Sequence, residues 1–443
     1  MKRIKKIKLT SFQIILFGFL GVIFLGGIIL MLPICNKEGV WTSFIDAIFT
    51  STSAVCVTGL IVHDTATYWN MFGQIIILIL IQIGGMGIVT VAVSFALLSG
   101  KKIGLFGRNT IKEAISAPSV GGIVNLAGFI IKGIFLFELL GALVMMPIFV
   151  KDYGIEGIWM AIFHSVSAFC NAGFDIMGSK GGEFSSLSIY SANPVISLTI
   201  IFLIIIGGIG FLVWRDVFKY KLSFKKYSPQ SKIVIIMTLI LIILPTIYNF
   251  FGEFNEYALG ERILVSLFQA VTPRTAGFNT VGLNSITEVG LFIMIILMLI
   301  GGSPGSTAGG MKTTTVAVLL SSTLSVFRNK KTAHLAKRRI SDENIKNAVA
   351  IFMIYLLLFI FSGAIISFID DIPLKISLFE TASAIGTVGL SLGVTPMLGV
   401  VSKIILMVLM FFGRVGALTL IYAAVGNKSH NDYDYPLTQI SVG

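Results

Sequence analysis

FTSTSAVCVTGL, residues 49–60, recurs three times along the chain: as FHSVSAFCNAGF at 163–174, LFQAVTPRTAGF at 267–278 and FETASAIGTVGL at 379–390. Each copy has Gly at its penultimate place, and Gly59, Gly173, Gly277 and Gly389 are separated by 114, 104 and 112 residues. Each follows a short amphipathic segment, such as WTSFIDAIF (41–49) or IEGIWMAIF (155–163), and lies between two long apolar runs. The chain therefore reads as four copies of span, short helix, small-residue loop, span, and internal repetition on this scale sets the architecture. The expected divisions are 1–113, 114–226, 227–340 and 341–443.

Of the 443 residues, 55% are hydrophobic and 12% charged, too few charges to cover a soluble protein of this length. Apolar runs of membrane-crossing length occupy Ser11–Leu32, Gly73–Leu98, Ile123–Val150, Val195–Trp214, Ile233–Phe251, Leu291–Ile300 with its continuation past a Gly-rich break, Ala348–Ile369 and Leu398–Val425. The fold class expected is an all-α polytopic membrane protein of eight transmembrane helices. The first run, about 22 residues long, exceeds a signal-peptide core, and Ile34 stands where cleavage needs a small residue, so it reads as a retained span. Cys35, Cys56 and Cys170 have no paired spacing, which argues against a disulfide framework or a zinc site.

The net charge of +12 is concentrated: MKRIKKIK (1–8) and the stretches 101–112, 215–232 and 328–339 hold 21 of the 33 Lys and Arg. That asymmetry is the positive-inside pattern and puts both termini and the basic loops in the cytoplasm. It implies a lipid bilayer of the cell membrane as the surrounding, and argues against nucleic acid as a partner. With the N-terminus inside, the first span of each copy exits and the second returns. The short helix and loop must then dip in from outside without crossing. Irregular backbone at membrane depth is tolerated only where protein buries it or it lines an aqueous path. Four such loops on four pseudo-equivalent copies meet around one central pore with pseudo-fourfold symmetry.

Loops of Gly, Thr, Ser and Val point backbone carbonyls at such an axis, and rings of carbonyls replace the hydration shell of a cation. Short helices ending there add partial negative charge. The residues expected to form this filter are Val57, Thr58 and Gly59; Asn171, Ala172 and Gly173; Thr275, Ala276 and Gly277; and Thr387, Val388 and Gly389. No carboxylate occupies the loop tips, which disfavours a divalent-type acidic ring.

IGTVGL (385–390) resembles the TVGYG of potassium channels, and with four copies at matched positions the whole chain resembles the membrane subunit of the Trk/Ktr/HKT potassium uptake superfamily. It is most similar to the Ktr branch, since it starts directly at the first repeat. The resemblance implies one filter glycine per repeat, K⁺ as the ion in the pore, and no organic cofactor. It also implies a homodimer seated on a cytoplasmic nucleotide-binding ring of the RCK/KTN type. Sodium-preferring plant relatives carry Ser at the first glycine position, where this chain has Gly59, so K⁺ is the expected preference. The uptake is expected to be Na⁺-dependent or Na⁺-independent; these residues do not choose.

In the third copy, Gly301–Gly310 (GGSPGSTAGG) disfavours helix and is expected to break the returning span. The family's intramembrane gate lies here, which implicates Gly305, Ser306, Thr307, Ala308, Gly309, Gly310 and Lys312. GSTAGGMKT is not a Walker A loop, because Met311 stands where Gly must precede Lys312. Arg414 lies 25 residues past Gly389, as Gly302 lies 25 past Gly277. A charge at that depth marks function or pairing, and Arg414 is expected to bond the loop's carbonyls, as a gate or as a structural clamp. GGMG (84–87) and GGIG (207–210) read as close helix packing.

Arg274 is expected to turn behind the filter and hold carbonyls. Asp64 and Asp175 read either as mouth charges that concentrate cations or as solvated loop residues. Lys132 reads as a snorkelling side chain, His164 as core packing, and Glu138 has no evident partner. YDYPLTQISVG (433–443) resembles the family's interface-packing tail.

No cluster of acids, His or Cys suits catalysis, so an enzyme is not expected. The competing reading is an alternating-access cation symporter, which uses midplane broken helices. Four same-sense repeats rather than inverted pairs disfavour it.

Overall fold

The computed structural model describes residues 10–98, 103–115, 119–417 and 419–420. It is helical, with one two-stranded hairpin among the described residues. The first spans of the four repeats are α1 (Ser11–Leu30), α6 (Ile123–Tyr153), α11 (Pro229–Tyr248) and α15 (Asp342–Asp370). Each is long and apolar enough to cross a bilayer. Their starts are fixed locally: Thr10 closes a capping box on α1, Ser228 caps α11 with Pro229 at its first position, and Ser341 caps α15.

The short helices are α2 (Phe44–Val55), α7 (Glu156–Phe169), α12 (Leu259–Val271) and α16 (Leu374–Gly386). At about 1.5 Å per residue each rises about 18–21 Å, too short to cross. They sit at the centre: Phe49, Phe163 and Phe379, ten residues before their loop glycines, are fully buried, as is Phe268 in the third copy. Large apolar side chains of the first spans, including Phe24, Leu139, Leu244 and Phe361, face outward, as a lipid-facing surface requires.

The returning spans are α3 (Met71–Met86) with α4 (Ile88–Leu98), α9 (Pro194–Gly208) with α10 (Phe211–Tyr220), α13 (Glu288–Leu299) with α14 (Thr313–Phe327), and α17 (Val400–Val415). The first two were expected to be continuous and are not: they bend by 96° and 99°. Gly87 (φ +79°) and, at the end of α17, Gly416 (φ +88°) take left-handed backbone that ends their helices, while Gly210 (φ +99°) takes it at the start of α10, one residue past the Ile209 cap of α9. In the third repeat the interruption is longer, from Ile300 to Lys312, with a parallel bridge between Ile300 and Met311. Beyond these, α5 (Leu105–Ala114) links repeats one and two, and α8 (Gly178–Gly181) is a single turn outside the second loop. Strands β1 (His334–Leu335) and β2 (Arg338–Arg339) form a hairpin before repeat four. The basic residues 1–8 and the tail 433–443 lie outside the described residues.

Candidate functional site

In all four repeats the loop leaves its short helix with the same alternation of backbone handedness. Val57, Asn171, Thr275 and Thr387 have φ of +51°, +58°, +69° and +51°, and two residues on Gly59, Gly173, Gly277 and Gly389 have φ of +93°, +70°, +79° and +94°. A non-glycine residue in the left-handed region costs about 1–2 kcal/mol. Four repetitions of that cost at one position mean that the surrounding structure imposes it. Reversing handedness at alternate residues turns successive peptide planes the same way, so the carbonyls of each loop share one face.

The loops close on one another in order. A Cβ placed on Gly59 would stand 2.5 Å from the carbonyl oxygen of Ala172, and one on Gly173 would stand 2.8 Å from that of Ala276. The same construction on Gly277 meets the Val388 carbonyl, and on Gly389 the Thr58 carbonyl, closer still. The circuit first–second–third–fourth–first is complete, and every missing side chain makes room for a neighbour's carbonyl. All four glycines line one outer cavity of about 290 Å³, with Asp175, Asn279 and Ser391 on its wall. The short helices end just ahead of the loops and direct their negative ends at this ring.

Hydroxyl groups hold the loops. Ser53 Oγ accepts from the Gly59 amide and Ser383 Oγ from the Gly389 amide, both at 3.0 Å, and Ser167 Oγ donates to the Phe174 carbonyl at 2.6 Å. In the third repeat the pattern is shifted by one residue, and Thr272 donates to the Phe278 carbonyl. Eight residues before the glycine, Ser51, Ser165 and Thr381 donate to carbonyls of Ile23, Glu138 and Phe359 on their own first spans. Gln269 stands there in the third repeat, buried and, among the described residues, without a hydrogen-bond partner. The sequence signal of these supports is the repeated [Ser/Thr]-x-Ser-Ala of 51–54, 165–168 and 381–384.

Close approach of the returning spans depends on a second set of glycines. A Cβ on Gly84, Gly207 or Gly413 would strike the carbonyls of Val55, Phe169 and Ile385, each two residues before its left-handed loop residue. The clusters at 84–87 and 207–210 thus serve packing, as expected, and also hold the bends, which were not expected. The overlooked signal is the match of GGMG (84–87), GGIG (207–210) and GRVG (413–416), which places Arg414 where the first two repeats have Gly85 and Gly208.

The interrupted stretch of repeat three lies directly under the ring. Thr307 Oγ1 donates to the Phe169 carbonyl at 3.1 Å and lies 3.2 Å from Asn171 Oδ1; a Cβ on Gly309 would strike Thr387 Oγ1. Amides of Ser303 and Thr307 donate to the Gly208 and Gly207 carbonyls, the Gly310 amide donates to Gly413, and Phe211 donates to the Gly305 carbonyl. Arg414 donates to the carbonyls of Thr307 and Gly84, and to Gly85 at 3.1 Å. Lys312 Nζ donates to Ala308 at 2.8 Å and Gly309 at 3.3 Å. Gly305, Ser306, Ala308, Lys312 and Arg414 share a cavity of about 130 Å³ on the side of the stretch away from the outer cavity. The structure therefore gathers all twelve expected loop residues into one ring, and all eight expected residues beneath it into one layer.

Three expectations are corrected. Arg274 holds no filter carbonyl: its guanidinium is buried and reaches Thr238 of α11 at 3.4 Å. Glu138 has partners, since Gln82 of repeat one donates to its carboxylate at 3.0 Å and the Cys170 thiol lies 3.8 Å away. Asp64 is buried and accepts from the amides of Ala66, Thr67 and Phe184, so it builds the outer loops and is no free mouth charge. Asp175 does line the mouth, and burial, helped by the nearby Asp64, pushes its carboxyl up to about 7. His164 is fully buried and stacks on Phe149.

Comparison with known proteins gives a consistent result. Residues 10–432 match the TrkH family, described as a cation transport protein. The chain is 38% identical to the Ktr system potassium uptake protein B of Bacillus subtilis, over 100% of this chain and 99% of that one. It is 37% identical to the potassium/sodium uptake protein NtpJ of Enterococcus hirae, with the same coverage. The crystal structure of the potassium transporter TrkH from Vibrio parahaemolyticus superposes with a TM-score of 0.74 at 20% identity, over 95% of this chain and 86% of that one.

Proposed function

The chain belongs to the TrkH family of cation transport proteins, and on that premise we propose that it takes up K⁺ across the cell membrane through the four-loop ring. The observation that carries this reading is the closed circuit in which each loop glycine makes room for a carbonyl of the next loop. Such a ring offers neutral oxygen ligands, suited to a dehydrated monovalent cation, and no carboxylate at its tips. The layer at 300–312, pinned by Arg414 and Lys312, is the gate in this reading. It sits beneath the ring, is held by individual hydrogen bonds, and runs directly into α14.

The partners in this reading are a second copy of the chain and a cytoplasmic nucleotide-binding ring of the RCK/KTN type. The word "system" in the name of the Bacillus relative supports a complex of more than one polypeptide. Na⁺ dependence belongs in the same test, because the Enterococcus relative's name joins both ions. The test is ⁸⁶Rb⁺ uptake into proteoliposomes of the purified protein with its ring, competed by K⁺ or Na⁺. Competition by K⁺ at far lower concentration than Na⁺ is expected; equal competition refutes the assignment.

A further inference from the structure

Residues 328–339, the basic stretch that closes repeat three, do not simply hang in solvent. Their hairpin folds back on α14, where Ser321 Oγ donates to the His334 carbonyl at 2.9 Å. Together α11, α14 and the hairpin enclose a groove of about 330 Å³, at the lower end of ligand-pocket size. Its wall is apolar: Ile233, Ile236 and Met237 come from α11, and Leu320 and Leu324 from α14. Its rim carries Arg328 and Lys330, both exposed, and among the described residues neither forms an ion pair. An apolar wall along two membrane helices that ends in unpaired cations has the complementary shape and charge of one ligand class. A basic pocket between helices on the cytoplasmic side suits an anionic headgroup.

We propose that this groove binds one anionic phospholipid of the inner leaflet, with its phosphate on Arg328 and Lys330 and an acyl chain along Ile236, Leu320 and Leu324. The assignment of leaflet rests on the cytoplasmic placement of the basic loops in the function proposed above. Because α14 begins at Thr313, next to the layer beneath the ring, a lipid here touches the far end of the helix that carries that layer.

The test is native mass spectrometry of the full-length protein taken from bilayers of phosphatidylglycerol and phosphatidylcholine, counting retained lipid. Wild type is expected to retain phosphatidylglycerol in preference. Arg328→Gln with Lys330→Gln is expected to weaken that retention about thirtyfold, the effect of removing two membrane-facing cations. Leu320→Trp, which fills the groove, is expected to abolish it. Equal retention of both lipids by wild type, or retention of phosphatidylglycerol unchanged in both variants, overturns the proposal. So does a shift of Leu320→Trp from dimer to monomer with phosphatidylglycerol still bound, which assigns the face to a second copy. Topology is read separately from Lys330→Cys in whole cells. Labelling by an impermeant maleimide from outside refutes the cytoplasmic placement, whereas no labelling together with unchanged lipid retention refutes the lipid site alone.

Discussion

Replacing Arg414 by Gln removes, among the described residues, the only charged donor that ties repeat three's interruption to repeat four's returning helix. Its guanidinium bonds the Thr307 carbonyl on one arm and the Gly84 and Gly85 carbonyls of repeat one on the other. The remaining ties of the layer to repeats two and four are neutral backbone or hydroxyl bonds, such as Ser303 to Gly208 and Gly310 to Gly413. A hydrogen bond from a charged group contributes about 1.5–3 kcal/mol. If release of Thr307 accompanies opening, its loss shifts the closed-to-open balance about 10- to 150-fold. The assay is ⁸⁶Rb⁺ flux into proteoliposomes without the regulatory ring, where the closed layer limits wild type. Arg414→Gln should raise flux at least tenfold, and Arg414→Lys, a point donor unable to span both arms, should lie between. Flux within twofold of wild type for an intact Arg414→Gln protein, judged by its elution and thermal midpoint, would refute the gate.

Other substitutions test separate links. Asp175→Asn should abolish a pH dependence of uptake. The wild-type carboxyl is charged above about 7 and neutral below, so uptake at low K⁺ should fall as the outside is taken from pH 8 to 6, and the variant should be flat. The sign for stability is the reverse: the folded state holds this proton more tightly, so wild-type stability should fall as pH rises through 4 to 7 relative to the variant, a difference readable from thermal midpoints. Ser53→Ala leaves the Gly59 amide without its acceptor and should cost about 1–3 kcal/mol, seen as earlier thermal unfolding in detergent. Gln82→Leu, which removes the amide donor to Glu138 and leaves it the Cys170 thiol, should cost a similar amount, about 1–3 kcal/mol, and combining it with Glu138→Gln should recover part of the loss.

The ring was legible because it is written four times: a single Thr-Val-Gly is uninformative, but Gly59, Gly173, Gly277 and Gly389 at matched places demand a shared geometry. The interruption at 300–312 was legible for a different reason, since five Gly and a Pro in Gly301–Gly310 leave helix little support. The bends at Gly87 and Gly210 are not legible in the same way, because a glycine cluster in a membrane helix satisfies a packing explanation completely. Only comparison with Gly416 separates the glycine that packs from the one that turns the chain. Glu138 and Arg274 mark the limit of linear reading. Their partners, Gln82 and Thr238, lie 56 and 36 residues away and are brought near only by the folding of the helices around the ring. Arg414 shows the intermediate case: its depth announced a bond to the layer, whereas its second arm, on Gly84 and Gly85, became visible only in the assembled fold.

The central claim, that four unlike loops act as one cation-selective ring, is tested most directly by four single substitutions measured side by side. Gly59→Ser, Gly173→Ser, Gly277→Ser and Gly389→Ser each force a side chain at positive φ against a neighbour's carbonyl, while Gly282→Ala enters open space on the same outer wall and serves as the control. In ⁸⁶Rb⁺ uptake competed by K⁺ and by Na⁺, the account predicts that all four Ser variants lose at least tenfold of the preference for K⁺ and that the control keeps it. Retention of the wild-type preference by any one of the four would contradict a ring built from every repeat.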